Sequence, residues 1–391
     1  RMSIPGSYGF PGMGETTAFA RGPLDFVEER ALQYGTVFKT NLVGRKLVFV
    51  TAAAEALQVL DTEAQNFSVR EGYEEFLRDL FRNNVILECP ATASRLRSGL
   101  CEALRRERLE ALSAVLDPLC RTHAQHLVAS GVTPVYEKIK HAMRDATDVI
   151  LFGPSGNSTW LQQMATLIRT HFNGLQSLPF NIRLPGLKGG FSKALKARDE
   201  LLQQFEGVVR HRATTLRQDP ASATSCVLDT LLHTLLTPDV DPGPVMAEIA
   251  QQLLLLKCSV VEKCLASLVT FTLWELSAPG SERLVEQLRQ QATTQGPEWS
   301  ETCRALMKET ARLHPATVGV MRRVPNEVKC ASVGPHRVDG GTRVWICVPT
   351  VNRDPKVFAT PLRFLPGKRT ATPHPTVAHG TAHMTRCEPP R

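Results

Sequence analysis

The longest continuous pattern in the sequence is helical. From about residue 91 to residue 315, apolar side chains recur at the three- and four-residue spacing of one helix face. Stretches rich in β-branched residues lie before this block, at 36–42 and 46–51, and after it, at 328–333 and 343–348. Helical mass with small sheets at both ends predicts a mainly α fold in which the chain's two ends are interwoven.

Composition excludes several classes of protein. Of the 391 residues, 42% are hydrophobic and 21% are charged, as in ordinary globular domains. The net charge of +8 is modest, and aromatic residues make up only 6%, so we expect no nucleic-acid partner. The ten cysteines contain no C-x-x-C pair, which argues against a zinc or redox motif.

The composition also changes along the chain. Residues 1–23 are rich in proline and glycine and are predicted to form an irregular lead-in. Residues 24–369 form the predicted domain. Residues 370–391 contain few large aliphatic side chains, so we expect a disordered tail that cannot bury enough surface to fold.

One ordered group of motifs in the C-terminal part of the sequence is the most informative about fold and function. Glu309 and Arg312 are three residues apart in a predicted helix that ends at Pro315, so they lie on one helix face. Alone, such a pair is most simply a solvated surface pair. Here it is followed by an arginine pair that begins at Arg322, by the β-rich stretches, and by Pro-Leu-Arg-Phe-Leu-Pro at 361–366.

In this order the motifs resemble the C-terminal half of a cytochrome P450, and Ile-Pro-Gly-Ser-Tyr-Gly-Phe-Pro-Gly at 4–12 resembles the hinge of microsomal members. The resemblance covers about 1–369. It implies the mainly α cytochrome P450 fold with small β-sheets, with the C-terminal haem loop and the following helix missing. The closest group is the terpenoid, steroid, abscisate and retinoid hydroxylases.

The resemblance also implies roles for particular residues. Glu309 and Arg312 would form a structural lock with the position of Lys368, where a lysine replaces the arginine fork of the family. Arg322 and Arg97 would bind the two haem propionates, because buried carboxylates require charge-assisted donors. For Arg97, a plain surface position remains an equal alternative.

Two departures from the family bear on activity. The long helix predicted at 244–277 places Lys257, Cys258, Ser259, Val260 and Val261 where the family has small residues, an acid and a threonine that serve dioxygen. This substitution argues against ordinary oxygen activation.

The second departure concerns the iron ligand. The family holds haem iron through a cysteine thiolate in a glycine-containing loop. Only Cys387 is available, and the residues around it do not match that loop. The change of composition at 370 is what an alternative exon or an altered reading frame would produce. With His379 and His383, Cys387 could instead bind zinc if that segment were helical.

By resemblance, the predicted function is a haem-thiolate monooxygenase that hydroxylates a hydrophobic terpenoid- or sterol-like molecule. Its electrons would come from a donor of the NADPH-cytochrome P450 reductase type, and its location would be the cytosolic face of the endoplasmic reticulum membrane if an anchor preceded Arg1; the chain as given is expected to be soluble. One rival is a non-catalytic cytochrome P450-like protein or fragment that does not bind haem productively. A third candidate is haem-dependent peroxide rearrangement.

The candidate docking residues for an acidic redox partner are Arg105, Arg106 and Arg108. The alternative is that these three arginines belong to a solvated helix face.

Overall fold

The computed structural model describes residues 3–154, 159–176, 190–294 and 296–367. They divide into two compact units. Among the described residues, the first unit contains those up to Gly72 and those from Ser267, so the first unit combines an early and a late part of the chain, and the second is Tyr73–Ala266.

The described part of the chain is mainly helical with small sheets, which confirms the predicted fold class. The α-helices are α1 (Thr16–Arg21), α2 (Pro23–Tyr34), α3 (Ala53–Leu57), α4 (Val69–Phe81), α5 (Pro90–Ala103), α6 (Arg106–Ala111), α7 (Ser113–Ala129), α8 (Val135–Phe152), α9 (Thr159–Gln176), α10 (Gly190–Gln218), α11 (Val227–Leu235), α12 (Pro242–Leu255), α13 (Val261–Ser277), α14 (Glu282–Thr294), α15 (Pro297–Leu313) and α16 (Val348–Val351).

The first unit contains the strands. They form a four-stranded sheet of order β1-β2-β6-β3 and a two-stranded β4-β5 hairpin. β2 and β6 pair in parallel, and the other pairs are antiparallel. The strand bounds are β1 (Val37–Leu42), β2 (Arg45–Val50), β3 (Gly319–Arg323), β4 (Cys330–Val333), β5 (His336–Asp339) and β6 (Arg343–Cys347).

Local sequence explains where these elements turn. Val43 and Gly44 both have positive φ angles, of 54° and 75°, as a tight two-residue hairpin between β1 and β2 requires. α2 begins at Pro23, whose fixed φ suits the first helical position, and it ends before Gly35, whose φ is 95°.

An aromatic ladder crosses the sheet of the first unit. The rings of Phe38 and Phe49 stack at 5.3 Å, and those of Phe49 and Trp345 stack at 5.2 Å, because their strands pair in register. The Trp345 indole also covers Gly319 on β3, where an added Cβ would lie 1.5 Å from the indole nitrogen. Because Gly319 has no side chain, the Trp345 indole can pack over it.

The second unit is a helical bundle in which α10 packs against α9 and α12. α12 begins at Pro242 and is capped by Asp241, whose carboxylate accepts a hydrogen bond from the Gly243 backbone N–H at 3.1 Å. Fully buried side chains fill the core between the helices, among them Phe81, Leu96, Leu201, Phe205, Leu231, Ile249 and Leu253.

The structure differs from the sequence prediction in several elements. The long helix predicted at 244–277 is present as an unbroken helical stretch, but it contains one π-helical turn, Leu256–Val260, between α12 and α13. α4 lies in a segment for which no helix was predicted. The lead-in is not wholly irregular, because it contains α1 and pairs with β1 through bridges from Gly6 and Gly14.

No helix within the described ranges is both long enough and apolar enough to cross a bilayer.

Replacing Gly319 with alanine tests the aromatic ladder. The new Cβ would displace the Trp345 indole from its stack, so we expect the free energy of unfolding to fall by about 1–3 kcal/mol. Gly207→Ala is the matched control. It lies within α10 with nothing within 4 Å of an added Cβ, so it should stabilise the protein by up to about 1 kcal/mol. Urea unfolding followed by tryptophan fluorescence measures both, and equal effects would contradict the packing described.

Candidate functional site

The Glu309–Arg312 pair is the most highly connected polar pair of the first unit. Both residues lie on α15, and the Arg312 guanidinium binds the Glu309 carboxylate in a fork, Nε to Oε2 at 2.9 Å and Nη2 to Oε1 at 2.7 Å. Its other N–H groups donate to three backbone carbonyls: Nη1 to Asn352 at 3.1 Å and Pro361 at 2.7 Å, and Nη2 to Arg363 at 3.0 Å.

All five N–H donors of Arg312 are therefore used, although this residue is only 4% exposed. Glu309 also accepts a hydrogen bond from the Leu365 backbone N–H at 3.0 Å. The pair fastens the irregular segment 352–365 to α15 and is not a solvated surface pair. Lys368, the predicted third member of this lock, lies outside the described residues.

Arg322 lies on β3 of the same unit and is 8% exposed. Its Nη1 donates to the neighbouring Met321 carbonyl at 2.9 Å. The start of α4 packs closely against it: a Cβ at Gly72 would lie 2.9 Å from the Arg322 Cα. Beside it, Ser68 and Arg323 exchange backbone hydrogen bonds of 2.7 and 3.0 Å. Arg322 therefore lies on a strand that is hydrogen-bonded along both edges, to β6 and to Ser68. Its role in binding haem remains a prediction.

Arg97 lies on α5 in the second unit. The neighbouring Leu96 and Gly99 are buried and face the helical core, whereas Arg97 is half-buried. In the ranges that the structure describes, Arg97 has no hydrogen bond or ion pair, so its guanidinium is available to an anion. Its assignment to a propionate also stays a prediction.

Lys257 lies in the π-helical turn between α12 and α13 and forms a buried ion pair. Its ammonium donates to the Asp148 carboxylate of α8, and the two side chains are 1% and 5% exposed. Glu262 is farther away, with its Oε2 3.8 Å from the Lys257 Nζ. Burial raises the pKa of the Asp148 carboxyl to about 6, although Lys257 opposes that rise.

The other four residues at the predicted oxygen-groove positions directly follow Lys257 in the sequence. Cys258 is 3% exposed, and burial raises its pKa to about 12, so it is a neutral thiol at physiological pH. Ser259 and Val260 complete the π-helical turn, and Val261 begins α13. A π-helical turn at this register matters because such turns often mark functional sites.

The predicted iron ligand, Cys387, lies outside the described residues, as do His379 and His383. Buried thiols elsewhere serve packing: burial raises the pKa of Cys226 and of Cys347, which disfavours the thiolate. Within the described ranges, no cluster of three or more metal-ligating side chains occurs.

The three candidate arginines for a redox partner are already paired within the chain. Arg105 and Arg108 both bind Glu102, at 2.9 and 3.1 Å, and Arg106 binds Glu110 at 2.6 Å. This arrangement is that of a solvated helix surface with balanced charge.

Sequence reasoning missed Asp148, the partner of Lys257. A signal was present, because this acid directly precedes the apolar run Val-Ile-Leu-Phe at 149–152. A charged residue on a buried helix face implies a buried partner of opposite charge. The sequence alone does not say which of the chain's many basic residues that partner is.

Substituting Arg312 with lysine tests the lock. Lysine keeps the charge but loses the planar fork, so it cannot satisfy Glu309 and three carbonyls together. We expect the free energy of unfolding to fall by roughly 3 kcal/mol or more. Arg289→Lys is the matched control: it pairs with Glu286 on α14 at a side-chain exposure of 75%, and we expect a change within about 0.5 kcal/mol. A similar cost for both in urea unfolding would refute the lock.

Comparisons with known proteins agree with this architecture. The family model "Cytochrome P450" matches residues 283–370. Over 386 residues the chain is 24% identical to cytochrome P450 85A1 of Oryza sativa subsp. japonica, covering 93% of this chain and 77% of that protein. It is 26% identical over 235 residues to a taxane 13-alpha-hydroxylase of Taxus cuspidata, covering 58% and 47%.

A solved structure shares the fold. The cyanobacterial CYP120A1 with retinoic acid bound superposes with a TM-score of 0.76 at 22% identity, over 100% of this chain and 85% of that one. The α15 lock falls within the segment that the family model matches. Together the family match, the near full-length relatives and the shared fold show that this chain has the cytochrome P450 fold and is similar in sequence to cytochrome P450s.

Proposed function

We propose that this chain is a hydroxylase of a terpenoid- or sterol-like small molecule, with electrons from a donor of the NADPH-cytochrome P450 reductase type. The similarity to cytochrome P450s supports an oxidoreductase of the monooxygenase class, with haem as the implied cofactor and a hydrophobic substrate and a redox partner in general. The finer assignment is supported by two relatives whose names contain isoprenoid molecules, a taxane and retinoic acid.

The observation that carries the proposal is the α15 lock. Arg312 holds the segment that leads to the predicted haem loop through Glu309 and three carbonyls. This arrangement supports the proposal because the sequence resemblance implies the same lock in front of the haem loop.

Arg97 has the chemistry that a haem carboxylate requires, because its half-buried guanidinium has no hydrogen bond or ion pair in the described ranges. The role of Arg322 at the other carboxylate rests on the sequence resemblance alone. The thiolate ligand would come from Cys387. When bound through a thiolate, haem supplies the dioxygen and one-electron chemistry that protein side chains lack.

A specific observation favours a second candidate, a non-catalytic cytochrome P450-fold protein. At the register where the family delivers protons, Lys257 is bound to Asp148 in a buried ion pair. An ammonium held this way has its proton committed to a carboxylate, and Cys258 is a neutral thiol. Peroxide rearrangement would not need that proton delivery, but it too requires the thiolate. The endoplasmic reticulum location stays a prediction from the lead-in.

Carbon monoxide difference spectroscopy of the reduced, haem-supplemented chain tests the proposal. We expect a thiolate-type Soret band that Cys387→Ala abolishes. Cys120→Ala, an exposed free cysteine on α7, is the matched control and should leave the band unchanged.

The outcomes separate the candidates. Absence of the band in the unsubstituted chain contradicts the hydroxylase and supports the non-catalytic candidate. A band without reductase-dependent consumption of NADPH and dioxygen on a terpenoid substrate favours peroxide rearrangement. A band that survives Cys387→Ala contradicts the ligand assignment.

A further inference from the structure

A cavity of ≈ 790 Å³ lies in the second unit, between α8, α9 and the π-helical turn with the start of α13. This volume is within the range of small-molecule sites in proteins. One part of its wall is apolar and is formed by Leu161, Ile168 and Phe172 of α9. The rest of the wall is strongly charged.

The carboxylates that line the cavity are already neutralised. Glu262 is 3.8 Å from the Lys257 ammonium. The other three each bind a basic residue that also lines the cavity: Glu137 with Lys140 at 3.1 Å, Asp145 with Arg144 at 3.2 Å, and Asp148 with Lys257.

Two cations of the lining have no such partner. Across the part of the chain that the structure describes, neither Arg169 nor Lys263 has a carboxylate within ion-pair distance. Both lie beside Phe172: the Lys263 ammonium is over the Phe172 ring, and Arg169 is one helical turn before Phe172 on α9. Counting only lysine, arginine, aspartate and glutamate, the lining has five basic and four acidic side chains and so one excess positive charge.

The environment of Lys263 makes that excess charge costly. Its ammonium is partly removed from water, and burial lowers the pKa of Lys263 to about 8. Lys140 lowers this pKa further, whereas Glu262 opposes the change. A desolvated ammonium without a carboxylate gains most from an anionic ligand, because the attraction is weakly screened there.

We propose that this cavity binds a small amphipathic carboxylate, whose carboxylate group pairs with Lys263 and Arg169 and whose apolar body lies against Leu161, Ile168 and Phe172. A single negative charge balances the excess charge of the lining, and the apolar wall accommodates a short hydrocarbon body. The site uses none of the residues assigned to haem, so it does not depend on the proposed function.

Isothermal titration with octanoate, and with its neutral counterpart octanamide, tests this site on the full chain without added haem. We expect octanoate to bind at one molecule per chain, and octanamide at least about tenfold more weakly because it lacks the charge-assisted pair. Lys263→Gln should weaken octanoate binding by a similar factor. Lys138→Gln, on the exposed side of α8 and outside the lining, is the matched control and should change nothing.

Arg169→Gln is a second variant that keeps the test interpretable if Lys263→Gln misfolds. Because Arg169 is exposed, its substitution should leave the thermal melt unchanged. It should also weaken octanoate binding severalfold. The proposal is overturned if octanoate does not bind, if octanoate and octanamide bind equally, or if Lys263→Gln and Arg169→Gln both bind octanoate as the unsubstituted chain does.

Discussion

Buried positive charge is the constraint on which both units depend. An ammonium or guanidinium removed from water must find an anion and hydrogen-bond acceptors, or the fold loses several kcal/mol. In the second unit, Lys257 meets this demand with Asp148 and thereby ties α8 to the π-helical turn. In the first unit, Arg312 meets it with Glu309 and three backbone carbonyls, and thereby fixes a segment without regular structure. In the second unit the cation ties two helical segments together, and in the first it fixes an irregular segment.

The Arg312 lock and the Lys257 pair differ in how they compare with the cytochrome P450 family. The Arg312 lock lies in the region that the family model matches. The Lys257 pair lies at positions that the sequence resemblance aligns with the oxygen groove, and this alignment stays a prediction. In the cavity next to Lys257, Asp148 pairs with Lys257, whereas Lys263 has no carboxylate within ion-pair distance in the described ranges.

Much of this architecture could be predicted from the sequence, because helical periodicity and ordered motifs are local signals. The lock of Glu309 and Arg312 follows from spacing on one helix. The partner of Lys257 does not: Asp148 is 109 positions away, and only tertiary packing selects it among the acids of the chain. Strand β3 escaped prediction because its Gly-Val-Met-Arg-Arg sequence has weak β signals, and pairing with β6 defines it.

A double-mutant cycle on Lys257 and Asp148 tests the central claim most directly. Lys257→Met and Asp148→Asn should each lower the free energy of unfolding by about 3–5 kcal/mol, because each leaves a buried group without its partner. The double variant should cost far less than the sum, giving a coupling energy of at least about 3 kcal/mol. Single costs that simply add, with a coupling below about 0.5 kcal/mol, would show that the two charges do not hold each other and would contradict the account.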